Sequence, residues 1–168
     1  SIGLGEDGPT HQPVEHLAML RATPNMQVFR PADPIETMEA WEIALQTRDC
    51  PSTIAVARQN LPTVRTKYTS KNLTNLGAYV LSDSNGPRRA ILVATGSEVA
   101  IAMEAKKRLE DEGIGIRVVS MPCWGLFEEQ DEKYQRKIFP ARILIIAIEA
   151  SVSMGWEKWL YGGEKKNK

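Results

Sequence analysis

Apolar and polar residues alternate along the chain in segments that change period, and those changes mark its elements. Residues 14–21 recur apolar at helical spacing, with Pro13 placed at the first turn, where a missing N–H costs nothing. Met26-Gln27-Val28-Phe29-Arg30 alternates in strand fashion and stops at Arg30-Pro31-Ala32-Asp33-Pro34. Asp33 followed by Pro34 is an N-cap with proline at the first helical position, and residues 34–47 then put Ile35, Met38, Trp41, Ala44 and Leu45 on one stripe. Asp49-Cys50-Pro51 breaks that helix, and Ser52-Thr53-Ile54-Ala55-Val56-Ala57-Arg58 is the nearly continuous run of a parallel strand covered on both faces. Strand, helix and strand in this order predict a βαβ unit.

Residues 63–77 are polar and lack periodicity, so a linker and domain boundary is expected at 66–77, dividing a first unit at 1–65 from a second at 78–161. The second unit predicts strands at 78–82 and 89–95, joined through the Asn85-Gly86 pair as a hairpin. A helix over 97–112 follows, with Val99, Ala102, Met103 and Leu109 on its apolar side, Ser97 as its cap and Gly113 as its stop. Beyond it come a strand at 116–121, a charged helical stretch at 127–138, an apolar strand at 142–148 and a helix from 154, before a polar tail at 162–168. The fold class is α/β: a parallel βαβ layer, then a second α/β domain whose last strand is too apolar for the single short helix that follows it.

Composition narrows the classes. Of 168 residues, 42% are hydrophobic and 25% charged, and 21 basic residues balance 21 acidic ones. That is the profile of a globular protein with no nucleic-acid footprint and no basic membrane patch. The longest apolar run, around residues 143–148, is strand-sized and not a membrane span. Cys50 and Cys123 fit no metal spacing and suit reduced thiols in the cytoplasm. The chain opens inside a loop without methionine or a signal peptide, and therefore reads as a piece of a longer protein.

The candidate chemistry begins in that loop. Gly3-Leu4-Gly5-Glu6-Asp7-Gly8-Pro9-Thr10-His11-Gln12-Pro13 has too many glycines and prolines for a helix or strand, and it carries a carboxylate, a hydroxyl and an imidazole at Asp7, Thr10 and His11. A polar loop feeding a helix start suits an anionic or polyhydroxylated ligand; it also suits a connection whose polar groups satisfy its own backbone. Arg58 stands at the carboxyl end of a parallel strand, where ligands of open sheets bind. There it is either a phosphate or carboxylate clamp or the partner of a nearby acid. Thr10 is read as a brace for the loop, His16 as structural, and Glu149 as a hydrogen-bonded sheet-end carboxylate.

The opening loop, Arg30-Pro31-Ala32-Asp33 and Arg58-Gln59-Asn60-Leu61-Pro62 together closely resemble the transketolase family, in register from Ser1 to about Tyr161. Ala94-Thr95-Gly96-Ser97-Glu98-Val99 and Val118-Val119-Ser120-Met121-Pro122 extend the match. 1-Deoxyxylulose-5-phosphate synthase shares the Asp-Gly-Pro-Thr-His core, but Gln12-Pro13-Val14-Glu15 and the Arg-Gln-Asn-Leu segment favour transketolase. Pyruvate-dehydrogenase-type β subunits share the fold of this region but not the loop. The resemblance implies a pyrimidine-binding domain fragment followed by a truncated C-terminal domain. It implies an enzyme of the pentose phosphate pathway that moves a two-carbon ketol unit from a ketose phosphate to an aldose phosphate, using thiamine diphosphate and magnesium, as a homodimer. On the family pattern Asp7 contacts a sugar hydroxyl, and His11 and Arg58 grip the terminal phosphate. No metal ligand or catalytic residue is carried over. The His-Asp pair that precedes the loop in the family, the diphosphate-and-metal domain and the cofactor-activating glutamate are absent from this sequence. The chain alone is therefore expected to be inactive and to bind no cofactor tightly. The rival expectations are a non-catalytic module that self-associates, or a stand-alone sugar-phosphate-binding domain.

Overall fold

The computed structural model describes residue 8 and residues 10–160. The first unit is α1 (His16–Ala22), β1 (Gln27–Phe29), α2 (Pro34–Gln46) and β2 (Ser52–Ile54), with β1 and β2 parallel, Val28 opposite Thr53. This is the expected βαβ unit. β2 is shorter than its apolar run because β1 stops first: after Phe29 the chain turns away, with the Arg30 N–H on the Pro122 carbonyl at 2.8 Å and Pro31 offering no donor. α1 starts two residues later than the sequence indicates. The Val14 carbonyl is taken by the Val152 N–H at 3.0 Å and the Ser151 hydroxyl at 2.7 Å, so residues 13–15 serve a tertiary contact.

The second sheet has the order β3-β5-β4-β6, built from β3 (Tyr79–Ser82), β4 (Arg88–Ala94), β5 (Gly115–Ser120) and β6 (Leu144–Ile148). β4 runs parallel to β5 and β6, while β3 lies antiparallel on β5. The expected hairpin of β3 and β4 does not form: β5 stands between them. The connection passes so close to Gly115 that a Cβ there would meet the Pro87 carbonyl at 2.4 Å, so the crossing needs a residue without a side chain. Pairs of parallel neighbours also suit β4, whose residues Ala90 to Ala94 are all buried. α3 (Glu98–Asp111) covers one face through Leu92, Val99, Ala102 and Val118. The other face packs on α4 (Trp124–Glu128), α5 (Glu132–Ile138) and α6 (Glu157–Leu160), where Phe127, Phe139, Trp124, Trp156 and Trp159 meet. Trp124 and Trp156 stand edge to face with centroids 4.7 Å apart. The single charged stretch expected at 127–138 is two helices, separated where Asp131 caps the Tyr134 N–H.

α2 has the expected period and the opposite phase. Met38, Trp41 and Leu45 are 65%, 55% and 76% exposed, whereas Glu36, Ala40 and Ile43 are buried. Three carboxylates explain the rotation. Asp33 caps Ile35 and Glu36 and also accepts from the Val64 and Arg65 N–H groups, each at 3.1 Å. Glu36 accepts from the Ala32 N–H at 2.7 Å, the Tyr79 hydroxyl at 2.7 Å and the Ser120 hydroxyl at 2.5 Å. Glu39 takes the Arg65 fork together with the Thr74 N–H and hydroxyl. The inner line of the helix is thus a ladder of acids that ties the first unit to the segment 64–74 and to the second sheet. Burial and the neighbouring Asp33 push the Glu36 carboxyl up despite its three donors.

Substitution Glu36→Ala would strand three buried donors and is expected to lower the unfolding free energy by about 3 kcal/mol or more. Trp41→Lys, on the same helix, is expected to change it by less than about 0.5 kcal/mol. Urea unfolding of both variants checks the ranking, and equal losses would contradict it.

Candidate functional site

Four parallel strands point their carboxyl ends at one place. The residues that follow β1 (Arg30, Pro31), β2 (Ala55, Ala57, Gln59), β4 (Gly96, Ser97) and β6 (Ala150) line one cavity of about 300 Å³. His11, Pro13, His16, Leu17 and Leu20 close it from the side of the opening loop and α1. This is the position where parallel sheets bind ligands, doubled because two sheets share it.

The walls are held by charge pairs that join the two units. Arg30 donates Nη1 to the Thr95 carbonyl at 2.7 Å, to the Thr95 hydroxyl at 2.8 Å and to the Glu98 carboxylate. Glu98 in turn accepts from the Ala150 N–H at 3.0 Å and from the Ser97 hydroxyl at 2.5 Å. Ser97 therefore spends its hydroxyl on a carboxylate and does not cap α3 as expected. Arg21 grips Glu149 with both terminal nitrogens, at 2.8 and 2.6 Å, and lies over the Trp124 ring at 3.8 Å. The Glu149 carboxylate, 1% exposed, also accepts from Thr95 at 2.6 Å and from Trp156 Nε1 at 2.9 Å. It is the sheet-end carboxylate that the sequence suggested. Burial alone would push its pKa up, but Arg21, Thr95 and Trp156 outweigh that and hold it below the usual value. Gly96 threads this network at φ +55°, with its own N–H on the Arg30 carbonyl at 2.9 Å. A Cβ there would meet Arg30 Nη1 at 2.7 Å, so two constraints demand glycine.

The sequence-derived candidates fall as follows. Asp7 lies outside the described residues. His11 lines the cavity; its Nδ1 is 3.0 Å from the Thr10 hydroxyl, and its backbone N–H reaches the Gly8 carbonyl at 3.2 Å. Arg58 is exposed and is not among the lining residues, although Ala57 and Gln59 on either side of it are. The chain beyond β2 keeps an alternation in which 55, 57 and 59 are partly covered while 56, 58 and 60 are exposed. His16 is also in the wall, its ring paired with Glu15 at 3.7 Å. Arg30, Gln59 and Ser97 were not picked out as site residues, yet the strand-end rule that selected Arg58 applies to each of them. Among the described residues no three His, Cys, Asp or Glu side chains gather as metal ligands, and no helix is long and apolar enough to cross a membrane.

Comparison with known proteins identifies the two units. The family description "Transketolase, pyrimidine binding domain" matches residues 1–64, and "Transketolase-like TK C-terminal domain" matches residues 77–167. The chain belongs to the transketolase family. A transketolase of Rhodobacter capsulatus is 60% identical over 162 residues, 96% of this chain and 24% of the relative. This chain therefore spans about a quarter of the length of the curated relatives it matches. A Pichia stipitis transketolase solved with sedoheptulose 7-phosphate superposes with a TM-score of 0.87 at 44% identity, covering 95% of this chain and 23% of that one. A structure described as a split-gene transketolase in an inactive β4 tetramer matches with a TM-score of 0.71 at 30% identity, over 88% of this chain and 46% of that one. The cavity thus lies across the two matched domains, with Arg30–Glu98 and Arg21–Glu149 as pairs between them.

Because Glu149 has a lowered pKa, its contribution to stability is complete above the ordinary carboxyl pKa and is lost as pH falls through the folded value. Glu149→Gln is expected to cost about 3–5 kcal/mol at neutral pH, by leaving Arg21 buried with no counter-charge, and to flatten the fall in stability with acid. Denaturation midpoints from neutral to acidic pH check this, and an unchanged acid limb would count against it.

Proposed function

We propose that this chain is the substrate end of a transketolase, in which the cavity at the converging strand ends holds the phosphate-bearing portion of a sugar. The single observation that carries the reading is that cavity: His11, within the residues that match the family, lines it together with Ala57 and Gln59, the chain neighbours of Arg58. On this reading Asp7 bonds a sugar hydroxyl next to the carbonyl, and His11 and Arg58 take the terminal phosphate. Guanidinium and imidazole donors suit a phosphate, while a carboxylate acceptor suits a hydroxyl. The relative solved with sedoheptulose 7-phosphate supports a sugar phosphate as the ligand class.

The reaction we assign to the whole enzyme is transfer of a two-carbon ketol unit from a ketose phosphate to an aldose phosphate in the pentose phosphate pathway of the cytoplasm. Thiamine diphosphate, held with magnesium, supplies the electron sink for that transfer. The residues described here offer no ligand cluster for the metal, and their share is confined to orienting the sugar, with the division between the two domains placed at 66–77. The isolated chain is assigned no ketol transfer of its own. We further assign it a homodimeric or higher self-association, supported by the exposed apolar stripe of α2, by Leu144 and Ile146 exposed on β6, and by the inactive tetramer of the split-gene relative.

Titration of the chain with ribose 5-phosphate tests the site. Binding is expected, and Arg58→Ala is expected to weaken it by about 2–5 kcal/mol if the guanidinium holds the phosphate. Equal binding by the variant would remove Arg58 from the site. Incubation with donor and acceptor sugar phosphates, thiamine diphosphate and magnesium is expected to give no turnover, and turnover would refute the assignment of inactivity. Sedimentation over a range of concentrations is expected to show association, and a monomer throughout would count against it.

A further inference from the structure

The Asn85-Gly86 pair turns no hairpin here, because β3 and β4 are not neighbours. Neither residue takes the positive φ that a tight hairpin turn of this pair requires. Both are exposed, and a Cβ on Gly86 would meet nothing within 4 Å, so the fold makes no demand for glycine there. The pair is distinctive in its chemistry instead. Asn85 is the only asparagine of the chain followed by glycine; Asn25, Asn60, Asn72 and Asn75 precede methionine or leucine, and Asn167 precedes lysine. A following glycine leaves the next backbone nitrogen unshielded and mobile, so that it can reach the asparagine side-chain carbonyl carbon. The Gly86 N–H has no hydrogen-bond acceptor among the described residues to hold it back. Against this stands Glu110, near the end of α3. One of its oxygens accepts from the Asn85 backbone N–H at 3.1 Å and the other from Asn85 Nδ2 at 2.7 Å.

We propose that Asn85 is a modification site, converted spontaneously from amide to carboxylate through a cyclic imide, and that Glu110 restrains the conversion. The Gly86 nitrogen gives its proton to hydroxide and bonds to Asn85 Cγ. The Cγ–Nδ2 bond breaks, and Nδ2 takes a proton from water and leaves as ammonia. Water then opens the imide at either carbonyl, giving aspartate or its β-linked isomer. Ring closure requires the side chain to swing off Glu110, so the two hydrogen bonds oppose it. Once the amide is gone there is no Nδ2 donor, and a second carboxylate faces Glu110, whose one cationic partner is Lys106. Like charges then push the connection away from α3. The β-linked isomer also adds a backbone carbon to a connection that already passes Gly115 with no room for a side chain. The site lies outside the residues that line the strand-end cavity, and the inference is independent of what that cavity binds.

The test ages the full 168-residue chain in warm, mildly alkaline buffer and maps its peptides by mass and chromatography. Conversion is expected at residue 85, with the β-linked isomer in excess over aspartate, while Asn25, Asn60, Asn72 and Asn75 stay intact. Gly86→Ala, for which the backbone has room, is expected to slow it by about tenfold or more. Glu110→Ala is expected to speed it by about tenfold, the size of one hydrogen bond to a charged group. Each chain is aged below its own measured unfolding midpoint, so that unfolding does not supply the acceleration. The aged parent and Asn85→Asp are both expected to unfold about 2–4 °C below the fresh parent. Conversion to aspartate alone, or a Gly86→Ala chain that converts as fast as the parent, would overturn the imide route. An Asn85 that survives ageing in the parent and in Glu110→Ala alike would overturn the site, and an equal rate of conversion in those two chains would remove Glu110 from it. An aged chain that unfolds with the fresh one would show that the conversion does not loosen the connection.

Discussion

Buried carboxylates facing arginine and hydroxyl donors hold the two sheets in one arrangement. Glu149 gathers Arg21, Thr95 and Trp156; Glu98 gathers Arg30, Ser97 and the Ala150 N–H; Glu36 gathers Tyr79, Ser120 and the Ala32 N–H. Each carboxylate sits on one unit and takes at least one donor from the other, or from the loop that connects to it. Such pairs stabilise less than their Coulomb energy suggests, because both charges have left water. What they add is a fixed relation between the groups, since a half-made pair is far worse than either a complete pair or none.

That fixed relation is what makes a site. The strand ends of β1 and β2 carry Arg30 and the 55–59 segment, while those of β4 and β6 carry Gly96, Ser97 and Ala150. Neither sheet encloses the cavity alone. The arginine–carboxylate contacts fix one unit against the other beside it. The opening loop is tied into the same arrangement, because the Val14 carbonyl bonds to Val152 and Ser151 just past the end of β6. The site and the interface between the units are therefore one structure, and damage to the second is felt in the first.

The acidic ladder of α2 shows how such an arrangement overrides a local rule. Hydrophobic periodicity assigns the inner face of a helix to its apolar stripe, and Met38, Trp41 and Leu45 form a good one. Here donors at Val64, Arg65, Thr74, Tyr79 and Ser120 present a polar surface to the helix. The helix turns Asp33, Glu36 and Glu39 to meet it, because unpaired donors there would cost more than exposed methionine and tryptophan. The stripe left outside is the kind of surface that another chain or segment covers.

Much of this was written into the order of residues. The βαβ unit, the Asp33-Pro34 helix start and the strand read at 142–148, observed over Leu144–Ile148, follow from period, capping and backbone chemistry, which act over a few neighbouring residues. The place of His11 beside a polar cavity follows from the residue types of its loop, and the family from motifs long enough to be specific. The three-dimensional fold alone decided which side of α2 is buried, that β5 rather than β4 receives β3, and that Gln59 rather than Arg58 lines the cavity. It also decided that Ser97 serves Glu98 instead of capping its helix. Each of these depends on groups many residues away, the Ser97 contact included, because Arg30 and the Ala150 N–H hold Glu98 in place, and the preference of a buried polar group is set by the donor it meets, which no local pattern contains.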